Sequence, residues 1–375
     1  MIEETAQPRS SVMDVSSSIR HGDPALASFA DRTRSARRVL VVDLGFLGDG
    51  IHLIPALWEL RRHYDRAELH LASTPQAGEV IGLTGAMDRF WPVGLRPEQR
   101  SLAGQLRAIR SLRRQRFDVA LNLTASDRSV IFMGLAGARH RLAGGAGRWH
   151  AWYRWLVPHW LPQSEPGLPV FEQLRQALAC AGFRLGPKRF DLRIPDAARA
   201  WADSRVPAGA VHMSVCSANP LKEWPVRHHA ALANHLLQAN PGLTIAVSAS
   251  ARPREQERLT ALLELVPGSA VRRLPAGMSV AQLAAVLARC RFHIGPDSGV
   301  THIAMALGIP TFSIFRRRGT GWEGWIPRGP DHRAFLQPCS CARDHDAPCA
   351  VRGVAECLEA LSPETVLEAC RPRLD

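Results

Sequence analysis

The chain has 375 residues, 46 % hydrophobic and 22 % charged, enough apolar material for two globular domains with separate cores. No stretch approaches the roughly 20 uninterrupted apolar residues that span a bilayer, and the N-terminus lacks the apolar core of a secretory signal, so the expected compartment is the cytoplasm. A net charge of +13 favours anionic partners such as phosphorylated glycolipid, nucleic acid or a membrane surface; the excess is nearly all arginine, lysine occurring only at Lys188 and Lys222, and a compositional bias of the source genome would produce the same balance.

Residues 1–36 are rich in Ser, Arg, Ala and Asp without a sustained apolar period, which predicts a mostly disordered leader. From Arg37 onward short β-branched runs alternate with longer helical stretches, the pattern of a parallel sheet covered by helices. RVLVVD (38–43), ELHLA (68–72) and FDVALNL (117–123) read as strands, IHLIPALWELRRHY (51–64) and the basic segment 101–116 as helices. The stretch 144–167 breaks the rhythm with four tryptophans, Trp149, Trp152, Trp155 and Trp160, among arginines and histidines. Two readings of it stand: packing within the first domain, or a surface suited to a lipid headgroup region. A second alternating series follows, with strands VHMSV (211–215), TIAVSA (244–249), RFHIG (291–295) and TFSIF (311–315), and a tail helix capped by Ser362 with Pro363 in its first position. The expectation is a leader (1–36) and two doubly wound α/β domains, 37–195 and 196–375, facing one another so that ligands bind at the carboxyl ends of the strands.

Three motifs carry chemistry. In DLGFLGDGIHLIPAL (43–57), Gly45, Gly48 and Gly50 permit a tight turn after the strand, and Asp49 is either a helix N-cap or a carboxylate presented at the cleft. In IGPDSGVTHIAMALGIPTFSIF (294–315), the amides of Ser298 to His302 open a helix and form a seat for pyrophosphate, with Asp297 beside them placed either to cap the helix or to accept from sugar hydroxyls. In SVCSANPLKEWPVRHHAAL (214–232), Lys222 is either an exposed loop lysine or a compact charge meant for a phosphate oxygen.

Taken in order, the motifs resemble glycosyltransferase family 9, the ADP-heptose:lipopolysaccharide heptosyltransferases. Leu47-Gly48-Asp49 with Pro55-Ala56-Leu57 is similar to the family's first motif, Lys222 with Trp224-Pro225 to its K-x-W-P, and Asp297-Ser298-Gly299 with His302 to its D-S/T-G-x-x-H. The resemblance implies a GT-B fold and inverting transfer of a heptose from an ADP-sugar donor to a lipopolysaccharide inner-core acceptor, with Asp49 as catalytic base. It implies donor contacts from Lys222, Glu255, Asp297, Ser298, Gly299 and His302, and more weakly from Ser214 and Ser217. No cofactor is implied for the chemistry, no nucleic-acid partner is expected, and an anionic glycolipid would place the protein peripherally on the inner membrane. An autotransporter as protein acceptor, a silent nucleotide-sugar binder and a sugar-nucleotide epimerase remain alternatives. Two departures from the family pattern stand out: Gly50 in place of a β-branched residue, and Arg316, Arg317 and Arg318 where glycine and proline are usual.

Cys339, Cys341, Cys349 and Cys357 form a cluster able to chelate iron or zinc, although its Cys-x-Cys spacing is not that of a common zinc module. Cys180, Cys216 and Cys290 lie in apolar contexts and read as buried structural thiols.

Overall fold

A computed structural model describes residues 24–94, 102–124, 126–144, 153–162, 165, 167–266, 268–316, 322–338, 349, 353 and 355–374. The run RVLVVD becomes β1 (Arg38–Asp43), buried at every position after the first, as an inner strand covered on both faces requires. β2 (Glu68–Ser73), β3 (Arg89–Pro92), β4 (Val119–Asn122), β5 (His140–Ala143) and β6 (His159–Trp160) complete a parallel sheet in the order β3-β2-β1-β4-β5-β6. The second half repeats the plan with β7 (Ala210–Ser214), β8 (Ile245–Ser248), β9 (Val271–Arg273), β10 (Cys290–Pro296), β11 (Thr311–Ile314) and β12 (His332–Phe335), ordered β12-β11-β10-β7-β8-β9. In each sheet the chain moves outward from its first strand, then returns to that strand's other side. The switch points therefore lie between β1 and β4 and between β7 and β10, where open α/β sheets hold their ligands.

The two sheets meet through helices. The Leu47–His63 helix packs on the Gly299–Ala306 helix, and Pro75–Gly82 on Val280–Arg289. Glu79 accepts a 2.7 Å hydrogen bond from the Val280 amide, and a single hydrophobic cluster runs from Val39 and Leu57 of the first half to Ala284 and Ile303 of the second. Separate clusters lie behind each sheet, one around Val42, Ala120 and Met133, the other around Val247, Phe292 and Val366.

Residues 24–36 depart from the expected leader. Pro24–Ala27 and Phe29–Thr33 are helical, Phe29 is fully buried with its ring 5.6 Å from that of His159, and the hydroxyls of Thr33 and Tyr64 lie 2.7 Å apart. The tail helix begins as expected, with Ser362 Oγ accepting from the Thr365 amide and Pro363 in the first turn. Gly50 is explained by packing: a Cβ there would lie 2.8 Å from the Cβ of Ala77, so glycine lets the Leu47–His63 helix close on the Pro75–Gly82 helix.

Candidate active site

The turn after β1 is held from several directions. Gly45 donates its amide to Asp43 Oδ1 at 3.0 Å, and its carbonyl accepts from Thr74 Oγ1 at 2.9 Å. Asp49 stands not at the N-cap but three residues inside it, and its Oδ2 accepts the amide of Phe46 at 2.8 Å. A carboxylate in a first helical turn has the dipole in its favour. Burial nevertheless raises the Asp49 carboxyl above its ordinary range, against the pull of the Phe46 and Asp49 amides and of the charges on His302 and Lys222.

Those two charges come from the other half. Gly48 touches the ring of His302 so closely that a Cβ would sit 3.1 Å from its Cδ2, and a Cβ on Gly299 would meet the Leu47 side chain at 2.7 Å. Both glycines are required by the approach of one helix N-terminus to the other. His302 Nε2 faces Asp297 Oδ1 at 3.3 Å, and Lys222 Nζ donates to Asp297 Oδ2 at 2.5 Å. Burial alone would push the Asp297 carboxyl up, but His302 and Lys222 together hold it well below the usual carboxylate range.

The candidate residues thus converge around one cleft. Asp49, Asp297, Lys222 and His302 form its centre. Ser298 occupies the N-cap of the Gly299–Ala306 helix with its hydroxyl buried and unpartnered. The His302 amide belongs to the helix, donating to Ser298 O at 3.3 Å, so the free amides of the seat are those before it. Ser214 ends β7, and Ser217 donates to the carbonyl of Asp297 at 3.3 Å, a bond that bridges the switch point between β7 and β10. Glu255 is buried and accepts the Ser250 amide at 3.0 Å, and the Cys216 thiol faces its backbone carbonyl at 3.6 Å.

Several supporting residues carry no motif. His52, one helical turn beyond Asp49, meets His302 ring nitrogen to ring nitrogen at 3.2 Å, and Trp325 packs edge-on to both imidazoles. Glu223, beside Lys222, accepts the Ser217 amide at 2.8 Å and pairs with Arg254 at 2.8 Å, which in turn donates to the Ser217 carbonyl. Trp224 is fully buried and donates to the carbonyl of Leu361, so the K-x-W-P tryptophan anchors the loop that carries Lys222. At the first switch point, Thr124 Oγ1 donates to Asp43 Oδ1 at 2.8 Å; Asp43 has no exposed surface, and burial pushes its carboxyl up to about 6.

Cys339, Cys341, Trp149 and Trp152 lie outside the described residues, as do Arg317 and Arg318, whereas Cys349, Cys357 and Arg316 are buried. Among the described residues no three or more His, Cys, Asp or Glu gather as a metal site, and the iron or zinc expected at the cysteine cluster has no support there. Cys216 and Cys290 are buried, as expected of structural thiols, and burial pushes both up to about 12; Cys180 is half-buried. Trp155 is 87 % exposed, and among the described residues no helix is long and apolar enough to cross a membrane.

Two parallel six-stranded sheets facing through their switch points, with an ordered charge cluster between them, form a two-domain α/β fold of the GT-B type. The model of glycosyltransferase family 9 (heptosyltransferase) matches residues 105–354, and the chain belongs to that family. Its curated relatives include the lipopolysaccharide core heptosyltransferase OpsX of Haemophilus influenzae, 22 % identical over 296 residues, 76 % of this chain and 80 % of the relative. Lipopolysaccharide heptosyltransferase 1 of Pseudomonas aeruginosa is 26 % identical over 328 residues, 81 % of this chain and 85 % of the relative. Among solved structures, a family 9 glycosyltransferase from Veillonella parvula superimposes with a TM-score of 0.76 at 18 % identity, covering 90 % of this chain and 97 % of that one.

Proposed function

We propose that this enzyme transfers a heptose from ADP-heptose to a lipopolysaccharide inner-core acceptor with inversion at the anomeric carbon. The observation that carries the reading is the convergence of Asp49 from one half with Lys222, Asp297 and His302 from the other. The names of the curated relatives support the sugar and the acceptor class.

The chemistry follows from the arrangement. Asp49 takes the proton of the acceptor hydroxyl as its oxygen attacks the anomeric carbon from the face opposite the nucleotide. The bond to the pyrophosphate oxygen breaks, and negative charge grows on the departing ADP. Lys222, the Ser298 hydroxyl and the first amides of the Gly299–Ala306 helix meet that charge in a site already built around it. Asp297 serves the sugar hydroxyls and keeps Lys222 in place by an ion pair. Burial gives Asp49 more proton affinity than a free carboxylate, which suits a base that must work while a hydroxyl is still losing its proton. Glu255, Ser214 and Ser217 line the nucleoside end. An acceptor carrying phosphate and acidic sugars fits the chain's positive charge and places the protein at the inner membrane surface.

The test is incubation of the purified protein with ADP-heptose and a Kdo-lipid A acceptor, or in a parallel arm an autotransporter passenger, read by mass spectrometry. One heptose mass gained on the glycolipid, and lost with Asp49→Asn, supports the reading. Gain on the passenger alone replaces the acceptor, and no gain on either overturns the assignment of donor and sugar.

A further inference from the structure

The Asp43 carboxylate has no part in the scheme above, yet it sits at the switch point of the first sheet. Its Oδ1 receives two hydrogen bonds, from the Gly45 amide at 3.0 Å and the Thr124 hydroxyl at 2.8 Å, so it joins the β1 turn to the end of β4. Among the described residues its Oδ2 is buried with no partner, and so is the hydroxyl of Ser73, its register neighbour on β2. Native structures rarely leave a buried carboxylate oxygen unmet unless the charge has a use. Gly45 stands between the two carboxylates: it donates to Asp43, and a Cβ on it would lie 2.6 Å from the Asp49 carboxyl carbon.

We propose that Asp43 is a positioning residue for Asp49, fixing through Gly45 the turn on which Asp49 is mounted. This deepens the reading of Asp49 as the base and rests on it. The groups facing Asp43 are the Gly45 amide, the Thr124 hydroxyl and Asp49; those facing Asp49 are the Phe46 amide, its own amide, His302 and Lys222. With its Oδ1 held by Gly45 and Thr124, Asp43 ties the β1 turn to the end of β4 and so keeps the Asp49 carboxylate where the acceptor hydroxyl would meet it.

Two substitutions separate the bonds of Asp43 from its charge. Asp43→Asn keeps an oxygen for the Gly45 amide and the Thr124 hydroxyl, whereas Asp43→Ala removes it. Asp43→Ala should lower kcat roughly 10²-fold by misplacing Asp49 while the KM for each substrate holds, and Asp43→Asn should recover most of that loss. Amide NMR reads the turn without activity: the Gly45 and Phe46 resonances shift in Asp43→Ala and return toward the parent in Asp43→Asn. Unchanged kcat with unmoved turn amides in folded Asp43→Ala overturns the proposal. Should that variant not fold, unchanged kcat and unmoved amides in Thr124→Val, which removes one of the two bonds, overturn it. Full activity in Asp49→Asn defeats the assignment of the base, and the amide shifts are then still read on their own.

Discussion

His52 Nε2 lies 3.2 Å from His302 Nδ1, and this contact joins the second turn of one helix to the first turn of another in the opposite half of the molecule. His302 commits its Nε2–H to Asp297, so its Nδ1 accepts from His52 when His302 is neutral. Burial, and then the neighbouring His302, push His52 well below its ordinary range, so His52 is neutral and its other nitrogen is buried without a partner. Trp325 and Phe171 enclose its ring. His52→Phe keeps the stacking and removes the donor, leaving one buried nitrogen of His302 unmet. A loss of about 1–3 kcal/mol of stability, a drop of several degrees in melting temperature, is expected, together with a fall in kcat/KM. Steady-state kinetics beside a thermal melt checks this, and an unchanged kcat/KM would show that His302 needs no partner from the first half.

Lys222 pairs with Asp297, and the proposed mechanism gives it the pyrophosphate as a second task. Lys222→Gln retains a hydrogen-bond donor and loses the charge that answers the departing nucleotide. Removal of one such preorganised donor costs roughly 10²- to 10³-fold in kcat. The donor KM should rise while the acceptor KM stays put. Lys222→Arg should recover little, because the guanidinium is wider than the ammonium and the lysine is held between Asp297 and the Asn219-capped turn Pro220–Lys222. Initial rates with each substrate varied in turn separate these effects.

The two sheets and their switch points were legible because buried parallel strands read as apolar runs: RVLVVD and FDVALNL announce β1 and β4 without help. Edge strands carry no such signal. Arg89–Pro92 and Val271–Arg273 at the edges, and His140–Ala143 one strand in from an edge, are short and carry no sustained apolar run, and they become strands only because a neighbour offers its hydrogen bonds. Asp49 and Asp297 were visible because each follows a strand and precedes glycines. Asp43 looked like the polar end of an apolar strand, although a carboxylate closing five buried positions was itself a signal. His52 could have been found three positions beyond Asp49 on the same helical face. Trp325 had no local mark, since its place beside His52 is set by the docking of the two halves. Gly50 departs from the family pattern for a reason no pattern contains, the methyl of Ala77 on the next helix.

That contact gives a prediction about stability alone. In Gly50→Ala the new Cβ lies 2.8 Å from the Ala77 Cβ and 3.1 Å from its Cα, so the two helices must separate. The overpacking should cost about 1–3 kcal/mol, a drop of several degrees in Tm. Ala77→Gly added to Gly50→Ala removes the closer of the two contacts and should restore part of the loss. A double-mutant cycle measured by denaturant unfolding tests the coupling; strict additivity would locate the strain elsewhere.

Asp297 makes the site sensitive to acid. Its folded carboxyl is held below its ordinary value by His302 and Lys222, against burial. A carboxylate whose pKa is lower folded than unfolded stabilises the fold above the ordinary carboxylate range, near pH 4, and that stabilisation is lost as pH falls through the folded value. Melting temperature should therefore drop as the buffer is taken from about pH 5 to pH 3, and Asp297→Asn should flatten that slope while lowering stability at pH 7, where it leaves Lys222 half-buried without its counter-charge. Asp43 works with the opposite sign: its raised carboxyl costs stability as pH climbs from about 4 to about 6, so Asp43→Asn should gain on the parent across that interval. Thermal melts of the three proteins at half-unit pH steps separate the two windows. Parallel curves for Asp297→Asn and the parent below pH 5 would mean that the Lys222–Asp297 pair contributes no net stability.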